Sequence, residues 1–65
     1  MLDKIPLGTK GVYKNQITNI ESRCETSREV DKSANVIPVN LFNSNGEIEF
    51  KNAWVSRENI IFDDL

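Results

Sequence analysis

The strongest structural signal in this chain is a pair of alternating apolar and polar segments on either side of an Asn-Gly dipeptide. Residues 36–42 alternate first, and residues 47–51 alternate again, with Ile48 and Phe50 predicted to point inward. A repeat of two residues is typical of a strand with one buried face. Asn45-Gly46 favours the positive φ angles of a tight turn between strands. The pattern therefore predicts a β-hairpin in the second half of the chain.

The first strand is predicted at residues 9–13, where β-branched and aromatic side chains favour extended backbone. Pro6 and Gly8 are expected to form a turn that leads into it. Gly11 is expected to mark a bulge or a close approach of two backbones. Val12 is predicted to be the inward residue of this strand.

After the hairpin the chain is expected to stay extended and then turn once. Residues 52–55 are predicted to bring Trp54 into or beside the core. Ser56 is a natural cap for a single 3-10 turn over the next residues. Residues 60–62 are apolar and predict a last short strand.

Residues 21–34 form the most polar part of the chain, with apolar side chains at Cys24, Val30 and Ala34 alone. A helix here would have almost nothing to bury on one face, so we expect a long exposed polar loop. A single helical turn is the alternative. Loops of this length in a small domain often bind partners.

Composition limits the classes of function. The chain has 65 residues, enough for a single domain over residues 1–65. It has no histidine and one cysteine, so an internal disulfide, a Cys/His zinc site and an imidazole base are excluded. Arg23 could lower the pKa of Cys24, but no base partner is visible and a structural cysteine is expected. We therefore expect no enzyme activity, no cofactor and no metal.

The same features predict a cytoplasmic location. One unpaired cysteine suits a reducing compartment. No segment approaches the roughly 18 apolar residues that span a bilayer, so no membrane association is expected. Residues 1–6 are too short and polar for a signal peptide, and the chain is expected to be complete from its own methionine.

The charge balance does not indicate a partner held mainly by its phosphates. The net charge is −2, with a slight basic excess in residues 1–34 and an acidic excess in residues 35–65. Proteins held to nucleic acid by charge carry a strong basic excess. Scattered solvating charges are the favoured interpretation.

The order of the segments resembles that of SH3-like small barrels. The resemblance covers most of residues 8–62 and is carried by Gly8-Thr9-Lys10-Gly11-Val12, Val39-Asn40-Leu41-Phe42, Asn45-Gly46, Ala53-Trp54-Val55 and Ile60-Ile61. It implies an all-β barrel of about five short strands with one long polar loop and a single 3-10 turn. It also implies a scaffold that binds peptides, nucleic acid or other subunits through its loops and one sheet face.

Two departures from that pattern matter. The acidic and aromatic segment of signalling SH3 domains is absent, so recognition of polyproline is not implied. Pro38 lies inside a strand that such barrels usually pair on both sides. Because proline donates no backbone hydrogen bond, we expect a free edge or a bulge there.

The favoured functional interpretation is a non-enzymatic accessory or regulatory module that docks on a larger protein partner. Its docking surface is predicted to combine the polar loop, the sheet edge near Pro38 and the tryptophan segment. The candidate residues are Tyr13, Arg23, Glu25, Arg28, Glu29, Pro38 and Trp54. For Trp54 a core position is favoured over a place on the recognition surface. Chains this short are common among phage and mobile-element proteins.

Two alternatives remain open. The first is a nucleic-acid-binding barrel whose contacts are Lys10, Tyr13, Lys14 and Arg23, with the tyrosine stacking on a base. The second is a homo-oligomer with a shared central site, which the small size of the chain suggests.

Overall fold

The structure, a computed structural model, describes residues 3–63 and is all-β. Its strands are β1 (Lys4–Ile5), β2 (Lys10–Lys14), β3 (Glu21–Thr26), β4 (Val30–Asp31), β5 (Val36–Phe42), β6 (Ile48–Ser56) and β7 (Ile60–Phe62). A 3-10 turn at Arg57–Asn59 lies between the last two strands, as predicted. Ser56 occupies its N-cap position, but its side-chain oxygen accepts no capping hydrogen bond. Within these residues no helix has the length and apolar character that a membrane span requires.

Five strands form one antiparallel sheet in the order β6-β5-β3-β2-β7, and β1 pairs with β4 in a separate two-stranded sheet. The last strand returns to the first strand of the large sheet, because Gly11 pairs with Phe62 and Tyr13 with Ile60. In the part of the chain that the structure describes, no pairing joins the edge strands β6 and β7. The all-β prediction is confirmed, but the barrel is not closed.

The core lies on one face of the large sheet. Its buried apolar side chains are Ile5, Cys24, Ile37, Val39, Val55, Ile60 and Phe62. Ile5 comes from the two-stranded sheet and is fully buried, so this sheet covers one side of the core. Tyr13, Val30, Leu41 and Ala53 pack against the cluster while remaining partly exposed.

The first strand of the large sheet confirms the expectation for Gly11 and corrects the one for Val12. A Cβ atom at Gly11 would lie 2.6 Å from the carbonyl oxygen of Ile61, so the two backbones approach as closely as predicted. Gly11 pairs with the buried Cys24 and therefore faces the core. Val12, one residue on, faces the opposite side. The inward prediction for Val12 was wrong.

The predicted long loop over residues 21–34 is also corrected, because its first part is β3. Cys24 and Thr26 are buried on one face of this strand. The Thr26 hydroxyl donates a hydrogen bond to the carbonyl of Pro6 and accepts one from the amide of Thr9. These two bonds satisfy a buried polar group, which removes the cost of placing threonine in a core. The strand was missed because its inward residues are small and polar.

The hairpin of β5 and β6 is confirmed, with Gly46 at a φ of 81°. The inward prediction for Ile48 and Phe50 was wrong, since they are 44% and 57% exposed. The register shifts twice within this hairpin, and Asn52 has a φ of 51°. Such bulges bend a strand, and this end of the hairpin extends beyond the core.

Pro38 does not lie at a sheet edge. β5 pairs with β3 on one side and with β6 on the other. The carbonyl of Pro38 accepts a hydrogen bond from the amide of Ser27, just after β3 ends. The nitrogen of Pro38 therefore points toward β3, just past the last paired residues Thr26 and Val39. It does not point toward β6, so no hydrogen bond to β6 is lost. The free edge predicted at Pro38 was therefore wrong, and the irregularity offered as its alternative begins one residue later, after Val39.

Candidate protein-binding surface

The face of the large sheet that points away from the core, called the outer face below, carries an exposed tryptophan. Trp54 is 58% exposed, so the preferred prediction of a core position was wrong. It is the register partner of Pro38, which is less than 2% exposed. Paired residues on one sheet face contact each other. The indole therefore covers the proline and leaves much of its own surface open to solvent.

A second side chain holds the indole from the neighbouring turn. The Arg28 guanidinium carbon lies 5.4 Å from the centre of the Trp54 ring, within the range of a cation–π interaction. The hydrogen bond from Ser27 to Pro38 fixes the turn that carries Arg28 beside β5. Val36 lies two residues before Pro38 on the same face and is 47% exposed. Arg28, Val36, Pro38 and Trp54 together are called the Trp54 platform below.

The structure brings part of the predicted set together and separates the rest. Arg28, Pro38 and Trp54 form the platform, and Glu25 lies beside it on the outer face, opposite Asn40 of β5. The other three predicted residues, Tyr13, Arg23 and Glu29, lie elsewhere.

Each of those three has a different environment. Tyr13 lies on the core face and packs partly against the core. Arg23 forms an ion pair of 2.6 Å with Asp63. Hydrogen bonding to that carboxylate, together with its charge, raises the pKa of Arg23. Glu29 lies near Lys4, whose pKa is raised mainly by its hydrogen bond with Asp31 and, to a smaller extent, by Glu29.

The residues proposed for nucleic-acid contact do not form one surface. Lys10, Lys14 and Arg23 share the outer face, whereas Tyr13 faces the core. In the register of β2 and β3, Lys10 pairs with Glu25 and Lys14 with Glu21. Together with the ion pair of Arg23, this places a carboxylate close to every cation of the set.

Sequence reasoning missed a group of exposed apolar residues at one end of the molecule. The turn between β2 and β3 presents Ile17, which is 94% exposed, and Ile20, which is 62% exposed. The hairpin of β5 and β6 ends at the same side of the sheet, because β3 and β5 are antiparallel. It carries the exposed Ile48 and Phe50.

Both turns at this end are held by an asparagine side chain. The Asn15 carboxamide oxygen accepts hydrogen bonds from the amides of Ile17 and Thr18. The Asn43 oxygen accepts bonds from the amides of Asn45 and Glu47. Asparagine favours the start of a turn, and Asn15 is the sequence signal that could have located the turn between β2 and β3.

The thiol of Cys24 is buried and unpaired. Burial raises its pKa to about 11, and the opposing effect of the Arg23 charge is smaller. Little thiolate is present at neutral pH, so the prediction of a structural cysteine agrees with its location. Within residues 3–63 no three side chains of the types His, Cys, Asp and Glu cluster closely enough to hold a metal ion.

Comparison with protein-family models, with curated proteins and with solved structures finds no match for the chain.

Proposed function

We propose that this chain is a non-enzymatic protein-binding module, a small accessory or regulatory protein that docks on a larger protein through the Trp54 platform. The observation that carries the proposal is the exposure of Trp54 on the outer face, where it is fixed between Pro38 and Arg28.

The side chains of the platform are of the types that dominate the energy of protein interfaces. Tryptophan and arginine are enriched among residues whose truncation costs most of the binding energy. An indole supplies a large contact area for the loss of few rotamers. Because Arg28 already lies over the ring, less conformational freedom is lost when a partner covers it.

The charge pattern favours a protein partner over nucleic acid. Binding to phosphates requires cations that are free to replace counterions. Lys10, Lys14 and Arg23 each lie next to a carboxylate, which weakens the local positive potential. The exposed aliphatic side chain of Val36, next to Trp54 on the outer face, has no role in such electrostatic binding.

Affinity capture from a lysate of the native host, followed by mass spectrometry, tests the proposal. Trp54→Ala should reduce recovery of the specific partner about tenfold, since a central anchor contributes on the order of 1–2 kcal/mol or more. Arg28→Ala should reduce the recovery of the partner by a smaller factor. Ile61→Ala is the matched control, because Ile61 is 76% exposed and lies on the far strand of the sheet.

If the folded Trp54→Ala variant still recovers every specific partner, the Trp54 platform is not the docking surface. A titration with single-stranded RNA and DNA at low salt tests the class of partner separately. We expect no binding there. Affinity that falls steeply with salt and is lost in Lys10→Ala and Lys14→Ala would establish the nucleic-acid alternative instead.

A further inference from the structure

A groove lies at the end of the molecule away from the Trp54 platform, between the β2–β3 turn and the β5–β6 turn. The register of β3 and β5 runs from Thr26 and Val39 to Cys24 and Leu41 and stops there. Beyond that point the two strands separate. The space between them is lined by residues 20–23, residues 42–44 and Glu49, and is called the hairpin cleft below.

The backbone of both strands faces into this cleft. The amide of Ser27 donates to the carbonyl of Pro38 in β5. The amide of Thr26 points the other way and donates to the carbonyl of Thr9, just before β2. Backbone groups alternate in direction along a strand, so odd residues of β3 and even residues of β5 face each other. Arg23 and Phe42 therefore direct amide and carbonyl groups toward the cleft beyond the last register pair. An extended chain could pair with either edge.

The turns at both walls of the cleft have defined side-chain to backbone hydrogen bonds. Asn15 and Asn43 each fix one of the two turns through their side-chain hydrogen bonds. Preformed walls lower the entropic cost of binding.

The side chains that line the cleft indicate which kind of peptide would fit it. Ile20 and the half-buried Phe42 supply apolar surface on opposite walls. Glu21 and Glu49 add two carboxylates, while the charge of Arg23 is neutralised by Asp63. Lys14, the register partner of Glu21, lies outside the lining of the cleft but offsets part of the charge of that carboxylate. The lining therefore mixes apolar and polar surface, and its charged side chains leave a small acidic excess.

We propose that the hairpin cleft binds an extended segment of a partner protein that carries an apolar side chain flanked by lysine or arginine. The segment adds as a strand to the exposed backbone of β3 or β5, its apolar side chain contacts Ile20 and Phe42, and its cations face Glu21 and Glu49. This surface is separate from the Trp54 platform and does not depend on it.

Titration of the isotope-labelled chain with two capped pentapeptides, followed by amide chemical shifts, tests the proposal. The basic probe is Lys-Leu-Lys-Val-Lys and the matched acidic probe is Glu-Leu-Glu-Val-Glu. We expect the basic probe to shift amides of residues 20–23 and 42–44 and to leave those of β1 and β4 unchanged. The acidic probe should bind at least about tenfold more weakly, because like charges oppose it.

Two double variants separate the cleft charges from the net charge. Glu21→Gln with Glu49→Gln should weaken binding of the basic probe at least about threefold, as expected for exposed charge pairs. Asp3→Asn with Glu58→Gln changes the net charge equally outside the cleft and should leave it within about twofold. Ile20→Ser should also weaken binding, and because Ile20 is exposed the fold should persist.

Three results would overturn the inference. They are equal affinity for the two probes, shifts that lie outside the cleft, and concentration-dependent shifts of the cleft amides in the absence of peptide, which would identify a second copy as the occupant. Trp54→Ala should leave the shifts intact. Failure of the cleft and failure of the platform are therefore distinguishable.

Discussion

At the level of single residues, burial of the Cys24 thiol makes the free energy of unfolding depend on pH. Its pKa is raised by burial from an ordinary value of 9.0 to about 11 in the folded chain. The folded state therefore keeps the thiol protonated over a range in which the unfolded chain ionises. The stability that this provides is complete below pH 9 and is lost as the pH rises toward 11.

Comparison of wild type with Cys24→Ala by urea denaturation, in reducing buffer at pH 8 and pH 10, measures this effect. The wild type should lose about 1 kcal/mol more unfolding free energy than the variant over that interval, the amount expected for this pKa difference. Other groups titrate equally in both proteins and cancel in the comparison. Equal losses in the two proteins would show that the thiol is not shielded.

At the level of elements, Thr26 joins the turn before β2 to the end of β3. Its hydroxyl is bonded to Pro6 at 2.6 Å and to Thr9 at 2.9 Å. Thr26→Val keeps the shape but removes both bonds, so the Thr9 amide keeps only a 3.3 Å bond to the Pro6 carbonyl, and the variant should cost about 1 kcal/mol. Thr26→Ser keeps both bonds and should cost less. Denaturation of the three proteins tests the order, and an equal cost for both variants would contradict the role of the hydroxyl.

The same strand shows where sequence reasoning succeeds and fails. The β5–β6 hairpin was predictable because large apolar residues alternate and an Asn-Gly pair specifies the turn. In β3 the inward positions are Ser22, Cys24 and Thr26, whose pattern does not stand out from a polar loop. Burial of Thr26 becomes favourable when Pro6 and Thr9 bond to it, and those contacts are distant in sequence.

The candidate surface was predictable in its residue types but not in its arrangement. Trp54 and Arg28 are residues that commonly anchor partners, and both could be named from the sequence. Their proximity depends on the register that places Ser27 beside Pro38. Tyr13 was assigned to the surface because Val12 was assigned to the core, and the pairing of Gly11 with Cys24 reverses both.

Across the whole molecule, the core and the exposed apolar residues occupy different regions. The chain measures 35 × 22 × 19 Å, and the β5–β6 hairpin extends beyond the core. A small domain has few apolar side chains to place in its core, and those left in solvent lie both on the outer face, at Val36 and Trp54, and at the hairpin end, at Ile17 and Phe50. This separation leaves two exposed surfaces available for partners while a few buried residues hold the fold.

Ile5 and Ile17 provide a direct test of this separation, since they are the same residue type at 0% and 94% exposure. Ile5→Ala should lower the unfolding free energy by about 2–4 kcal/mol, because it opens a cavity in the core. Ile17→Ala should change it by less than about 0.5 kcal/mol, because nothing packs on that side chain. Should Ile5→Ala fail to fold, Ile5→Val gives the same comparison at a cost of about 1 kcal/mol. Equal effects of the two alanine variants would mean that the two-stranded sheet of β1 and β4 does not seal the core, and the division between buried structural residues and exposed apolar residues would be wrong.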